Sequence, residues 1–418
     1  MGTFFLRKLE MKTEICYNKI NDFVFPQRSC DNRMHDEPIY DTKNFAEINL
    51  TALTHNFTLL SRRIRKANAS PICVVKADAY GHGALTCVRA LSAAGADFFA
   101  VSSVQEALEV RRAAPDAKIL ILGYTRPANA PLLARQRIIQ TVHNISYAMY
   151  LNTAMDAAKA AGTAPQDARL TVHIKTDTGM NRLGFPLNPT DRENSLREIL
   201  SMTKFEHLSP EGIFTHFACA DEPDSHLTDE QLERFLYAVQ SLKTQGLSLA
   251  THASNSAAAL RFGSLGFDFV RLGIALYGLP PSDEVACNGL CPVMSLYSRI
   301  SEIHTLRAGE SVSYGARFTA EKDMRIATVS IGYADGVLRA CENGGSLIVG
   351  GYEAPLVGRI CMDQCMIALG DIEAYEGDIV TVYDESGRNI RRLARAAGTI
   401  PYELLCLTGL RVHRQYKQ

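Results

Sequence analysis

The chain has 418 residues, of which 46% are hydrophobic and 21% charged, an ordinary globular balance with room for two domains. Its net charge of −1 gives no electrostatic case for nucleic acid or for an anionic membrane surface, and no stretch approaches the length of a membrane-spanning helix. The 11 cysteines are scattered and odd in number, as in reduced cytoplasmic proteins, and Cys361 with Cys365, like Cys287 with Cys291, lacks the flanking histidines of a metal site, so no metal is expected.

The opening, MGTFFLRKLEMK, lacks a long apolar run followed by a small-residue cleavage site, so no signal peptide is expected. Residues 1–42 are polar and mixed and read as a poorly ordered extension. From FAEINL onward, short β-rich runs alternate with longer segments of helical period. The runs fall at 72–76, 98–103, 119–124, 139–144, 170–177, 211–217, 247–254 and 269–278. Eight strand–helix units over about 240 residues predict a (β/α)8 barrel across 43–287. A doubly wound open sheet is the alternative, but no Gly-rich dinucleotide fingerprint follows the first run. Residues 288–418 turn to short strands broken by glycine turns, as in GGSLIVGGYEAPLVG, and predict a separate β-rich domain.

In such a barrel, function gathers at the C-terminal ends of the strands. The first run delivers Lys76 and then Tyr80, within ICVVKADAYGHG; the fifth delivers Lys175, Asp177 and, in the next loop, Arg182. The sixth gives His216, the seventh His252, Ser254, Asn255 and Ser256, and the eighth Arg271 just before Gly273. Taken singly, each has a plain alternative: a snorkelling Lys76, a core His216, a barrel salt bridge at Arg271, a helix cap at Asn255 and Ser256. Together they describe a chemistry. A lysine at a dry strand end has a lowered pKa and can form a Schiff base with an aldehyde. Ser256 and the backbone amides near Gly273 occupy the loops where barrels bind phosphate. A lysine imine beside a phosphate cradle suggests pyridoxal 5'-phosphate (PLP).

The segments VVKADAYGHG, KTDTGMNRLGF, THFACADE, HASNSAA, VRLGIALYG, SVSYG, GRICMDQCM and PYELLC resemble, in order, those of the bacterial alanine racemases, from about Asp41 to about Arg414. The resemblance implies that Lys76 holds PLP and is the base for the D-alanine face, and that Tyr314 is the opposite base, arriving from the partner of a homodimer with shared active sites. It implies that Tyr80, Ser256, Gly273, Ile274 and Tyr402 contact the phosphate, that Arg271 faces the pyridine nitrogen, and that His216 lies near the ring. Arg182 and Met362 match substrate-binding positions, Lys175 a lysine often carbamylated and steadying Arg182, and Tyr333 and Arg339 positions at the substrate entrance. The implied activity is interconversion of L- and D-alanine in the cytoplasm, supplying D-alanine for peptidoglycan.

Elementary chemistry agrees. A single base tends to return a proton to the face it came from, so racemisation is best served by two acid–base groups. Free Tyr and Lys ionise near ~10 and ~10.4, so both need neighbours; Arg271 or a nearby imidazolium can serve the tyrosine. Because a guanidinium only donates, Arg271 pairs with an unprotonated ring nitrogen and makes the ring a weaker electron sink. The competing readings are a broad or serine-preferring racemase, a PLP lyase or decarboxylase on the same barrel, a Schiff-base aldolase, and a non-catalytic PLP carrier, which would need only the barrel.

Overall fold

Eight parallel strands close on one another: β2 (Ser70–Val74), β3 (Phe98–Val101), β4 (Lys118–Ile121), β5 (Ile138–Val142), β6 (Leu170–Asp177), β7 (Leu208–Phe214), β8 (Ala250–His252) and β9 (Phe269–Leu272). Pairing runs in chain order, and β9 returns to β2 with Arg271 opposite Ile72. The structure, a computed structural model, describes residues 43–418. The poorly ordered extension expected for 1–42 lies outside the described residues. Each of the eight runs expected from sequence holds a barrel strand, because short, wholly buried apolar runs suit a parallel sheet covered on its outer face by helices.

The helices start where the sequence supplies caps. Asn49 accepts from the Ala52 N–H at 2.8 Å and opens α1 (Leu50–Arg65), whose last turn carries Arg62, Arg63 and Arg65 against the negative end of the dipole. Ser103 and Glu106 form a capping box at the start of α2 (Val104–Ala113).

The β-rich part is built around β10 (Met294–Leu306), bent by bulges at Leu296/Tyr297 and Ile300/Glu302 so that it serves two sheet segments. Its second half pairs with β11 (Met324–Val329), which pairs with β14 (Cys365–Ala368). Its first half pairs with β15 (Ile379–Tyr383), which continues to β12 (Ser346–Val349) and β13 (Tyr352–Pro355). On the other flank of β10 lies β1 (Phe45–Asn49), and beyond it, parallel to β1, β16 (His413–Lys417). So β1, which precedes the barrel in sequence, belongs in space to the β sheet. One continuous apolar core runs from the barrel helices into this sheet, with a small satellite around Leu306, Ile326 and Met366. No helix among the described residues is long and apolar enough to cross a membrane.

Candidate active site

The chain is buried from Pro71 to Val75, and Lys76 is the first residue to emerge beyond it, half-buried at the barrel mouth. It is therefore not the dry lysine expected from the sequence, because the strand end opens where the chain turns. The turn is left-handed: Ala77, Asp78, Ala79 and Tyr80 all have φ between 52 and 54°. L-residues resist this by roughly 1–2 kcal/mol each, so the segment must be held from outside. The Ala77 N–H donates to Glu106 Oε1 at 2.6 Å, and the Ala84 N–H to Asp78 Oδ1 at 2.7 Å. The Gly81 carbonyl accepts two bonds from the Arg414 guanidinium, each 3.2 Å, across from β16. Glu106 also accepts the N–H groups of Ser102 and Ser103, so one carboxylate ties the start of α2 to the lysine turn.

Inside the mouth the barrel carries a polar column where most such barrels stack aliphatic layers. Arg271, nearly fully buried, donates to His252 Nδ1 (2.8 Å), to His216 Nδ1 (3.2 Å), and to the carbonyls of His252, Thr215 and Ala253. Among the described residues its Nε bonds to nothing, leaving one N–H for a ligand. His252 Nε2 lies 3.0 Å from His173 Nδ1. Since the guanidinium fills His252 Nδ1, the His252 proton sits on Nε2 and points at His173. A Cβ at Gly212 would come within 2.6 Å of the His173 ring, so only glycine leaves the ring its room.

Burial, and then the Arg271 charge, hold His216 and His252 well below the ordinary histidine range. Both are neutral acceptors. Burial lowers the proton affinity of Arg271 to about 9, which leaves it charged at neutral pH. The dry lysine of the site is Lys175: burial first, then Arg271, bring it down to about 7. Its Nζ donates to the Thr176 carbonyl at 2.7 Å and stands 5.5 Å from the centre of the Phe214 ring. Arg182, exposed at the rim, is shaped from another side. Asp177 accepts the N–H groups of Gly179, Asn181 and Arg182 at 2.9–3.0 Å; burial pushes its carboxyl up, but these donors win and hold it below the usual range.

A third cluster lies over the ends of β8 and β9. Asn255 is the helix cap, accepting from the Ala258 N–H at 3.0 Å, and this frees Ser256, whose Oγ accepts from the Gly273 N–H at 2.9 Å. The Tyr80 ring packs 4.8 Å from Tyr277 and 6.2 Å from Tyr402. A Cβ at Gly273 would sit 2.7 Å from the Tyr80 hydroxyl and 3.6 Å from Ser256 Oγ. The bare glycine thus leaves two hydroxyls and the backbone of Gly273 and Ile274 facing one space, a cradle suited to an anion.

Tyr314 and Met362 stand apart from these clusters. Both belong to the β-rich part and are exposed, Tyr314 at 69% and Met362 at 53%. Tyr314 follows Ser313, a non-glycine residue at φ 67° whose Oγ donates to the Arg359 carbonyl at 2.7 Å. The Met362 carbonyl receives the Ala334 N–H and that of Cys361 the Tyr333 N–H, so this loop is tied to the one bearing Tyr333. Among the described residues, no hydrogen bond joins Tyr314 or Met362 to Lys76, Arg271 or Ser256. Sequence reasoning missed Glu106, His173 and Arg414. The capping box around Glu106 and the alternation placing His173 on the same strand face as Lys175 were the signals available; Arg414 carried none.

Two family models match the chain, the alanine racemase N-terminal domain over residues 48–281 and the alanine racemase C-terminal domain over 293–416. The chain is 39% identical over 384 residues to the alanine racemase of Desulforamulus reducens, covering 91% of this chain and 99% of that one. Among solved structures, it is 36% identical to the alanine racemase of Clostridium difficile 630, with a TM-score of 0.81 over 90% of this chain and 96% of that one. It is 33% identical to the Bacillus anthracis alanine racemase with bound L-Ala-P, with a TM-score of 0.80 over 91% and 96%. The lysine at the mouth, the buried arginine and the anion cradle therefore sit in a chain that matches these proteins along nearly their whole length, and it belongs to the alanine racemase family.

Proposed function

We propose that this protein interconverts L- and D-alanine with PLP at the barrel mouth, and that it does so in the cytoplasm to supply D-alanine for peptidoglycan. The observation that carries the reading is the convergence of Lys76, the free Nε of Arg271 and the Tyr80–Ser256–Gly273 cradle on one mouth. These residues fit the cofactor. Lys76 would be its amine partner, Tyr80, Ser256, Gly273, Ile274 and Tyr402 would hold its phosphate, and Arg271, braced by His216, would donate to its ring nitrogen. When bound, PLP supplies the aldehyde and the electron-drawing ring that make the substrate Cα–H acidic.

The chain's own residues do the rest. Lys76 takes or returns the proton on the D-alanine face, and Tyr314 does so on the other. Arg182 and Met362 bind substrate, with Tyr333 and Arg339 at the entrance. Lys175, poised near pH 7, has the free amine that carbamylation requires. The barrel, expected over 43–287 but without β1, which joins the sheet, carries Lys76, Ser256, Arg271 and Gly273, and residues 288–418 supply Tyr314, Met362 and Tyr402. The exposure of Tyr314 supports a homodimer in which each barrel mouth is completed by the partner. A broad or serine-preferring racemase is the second reading, since side chains at the rim such as Asn181 and Cys219 bear on pocket width.

The test is incubation with L-alanine, L-serine and other L-amino acids in heavy water, following optical rotation and Cα deuterium uptake. Fast formation of D-alanine with Cα exchange is expected, falling at least ~1,000-fold in Lys76→Ala. A PLP-loaded protein that racemises nothing would overturn the reading in favour of a carrier or a lyase.

A further inference from the structure

His82 belongs to the AYGHG segment and reaches the cradle only through the Tyr80 backbone and the Tyr277 ring. It is fully buried, and its Nδ1 lies 2.9 Å from the carbonyl of Ala79 and 2.9 Å from that of Tyr80. Two carbonyls can only accept, so the ring proton is on Nδ1 and is shared between them. These are carbonyls of the left-handed turn itself, and Tyr80 O has no other protein partner among the described residues. The opposite ring nitrogen, Nε2, is buried with no partner, an arrangement that costs free energy and calls for a function. The ring stacks on Tyr277 at 4.5 Å and 30°, and the Tyr277 hydroxyl donates to the Val74 carbonyl at 3.0 Å. One side chain thus braces the turn after Lys76 directly and, through Tyr277, the strand before it.

We propose that His82 is a positioning residue for Lys76: its Nδ1–H, clamped between the Ala79 and Tyr80 carbonyls, fixes the left-handed turn and with it the direction in which the lysine leaves the strand. The inference rests on Lys76 being the base of the reading above. That reading fails separately, through a wild-type enzyme that racemises nothing or a Lys76→Ala variant that still works.

Two substitutions divide the roles. Asn carries an amide nitrogen at the same bond distance from Cβ as Nδ1, so His82→Asn keeps the clamp. Gln moves it one bond outward, to the place of Nε2, so His82→Gln loses it. With PLP-saturated enzyme, His82→Asn should stay within about 3-fold of wild type, and His82→Gln should lose about 10- to 100-fold in kcat with KM little changed. The isotope effect with Cα-deuterated D-alanine should rise in His82→Gln while that with L-alanine does not, because only the lysine face is disturbed. By mass spectrometry, amide exchange across residues 77–83 should quicken in His82→Gln alone. The proposal is overturned if the two variants behave alike, if the isotope effect changes equally from both sides, or if His82→Gln fails to fold while His82→Asn is normal, which would make the residue one of fold and not of reaction.

Discussion

At the scale of single residues, two lysines near one mouth divide the labour by their surroundings. Lys76 emerges from its strand end into the mouth, whereas Lys175 lies inside, brought to about 7 by burial. The folded state therefore releases the Lys175 proton more readily than the unfolded chain. Below pH 7 both states hold it and the penalty is complete; between 7 and 10.5 the unfolded state binds more protons, so stability rises with pH; above 10.5 the penalty is gone. Lys175→Met is expected to stabilise the protein near pH 7 by about 2–4 kcal/mol, and this gain should shrink steadily toward pH 10. Paired unfolding curves in carbonate-free buffer measure it; a gain independent of pH would contradict the burial. Lys76, Arg271 and Ser256 were legible in the sequence because barrel strands deliver their last residues to one face. The burial that separates Lys76 from Lys175 was not, since it depends on how the chain turns after Val75, and neighbouring residue types do not announce a left-handed turn of Ala, Asp, Ala and Tyr.

At the scale of elements, α2 is a helix whose first turn also serves another strand's loop. Its capping box was legible as SVQE following Ser102. What the spacing could not say is that the Glu106 carboxylate has a further acceptor site to give, at Ala77. Glu106→Ala removes the reciprocal cap and leaves the Ala77 N–H unpaired; a loss of about 1–2 kcal/mol is expected, read as a lower denaturation midpoint together with weaker PLP retention on dialysis. Retention equal to wild type would confine Glu106 to its helix. The eight barrel strands were legible because each is a buried run between helical periods. Strand β1 was less so: FAEIN has the alternation of a strand with one buried face, and nothing local says which sheet it joins.

At the scale of the whole molecule, the proposed function requires the exposed Tyr314 of one copy to complete the barrel mouth of another. Mixing inactive Lys76→Ala chains with inactive Tyr314→Ala chains, under conditions that exchange subunits, is expected to restore about a quarter of wild-type activity, one competent mouth in each mixed dimer. Silence in verified mixed dimers would refute sharing. The pairing of β1 with β16 has a consequence for biosynthesis. Phe45 leaves the ribosome among the first described residues and His413 among the last, yet they are neighbours in one sheet. Such a contact is of the slowest kind to form, and until translation has passed residue 417 the outer edge of β1 stands bare. Arg414, on that late strand, is also the residue that grips Gly81 beside Lys76. A polypeptide released short of it lacks both the edge cover and the grip, so translation must run through these residues before the lysine can be set in place.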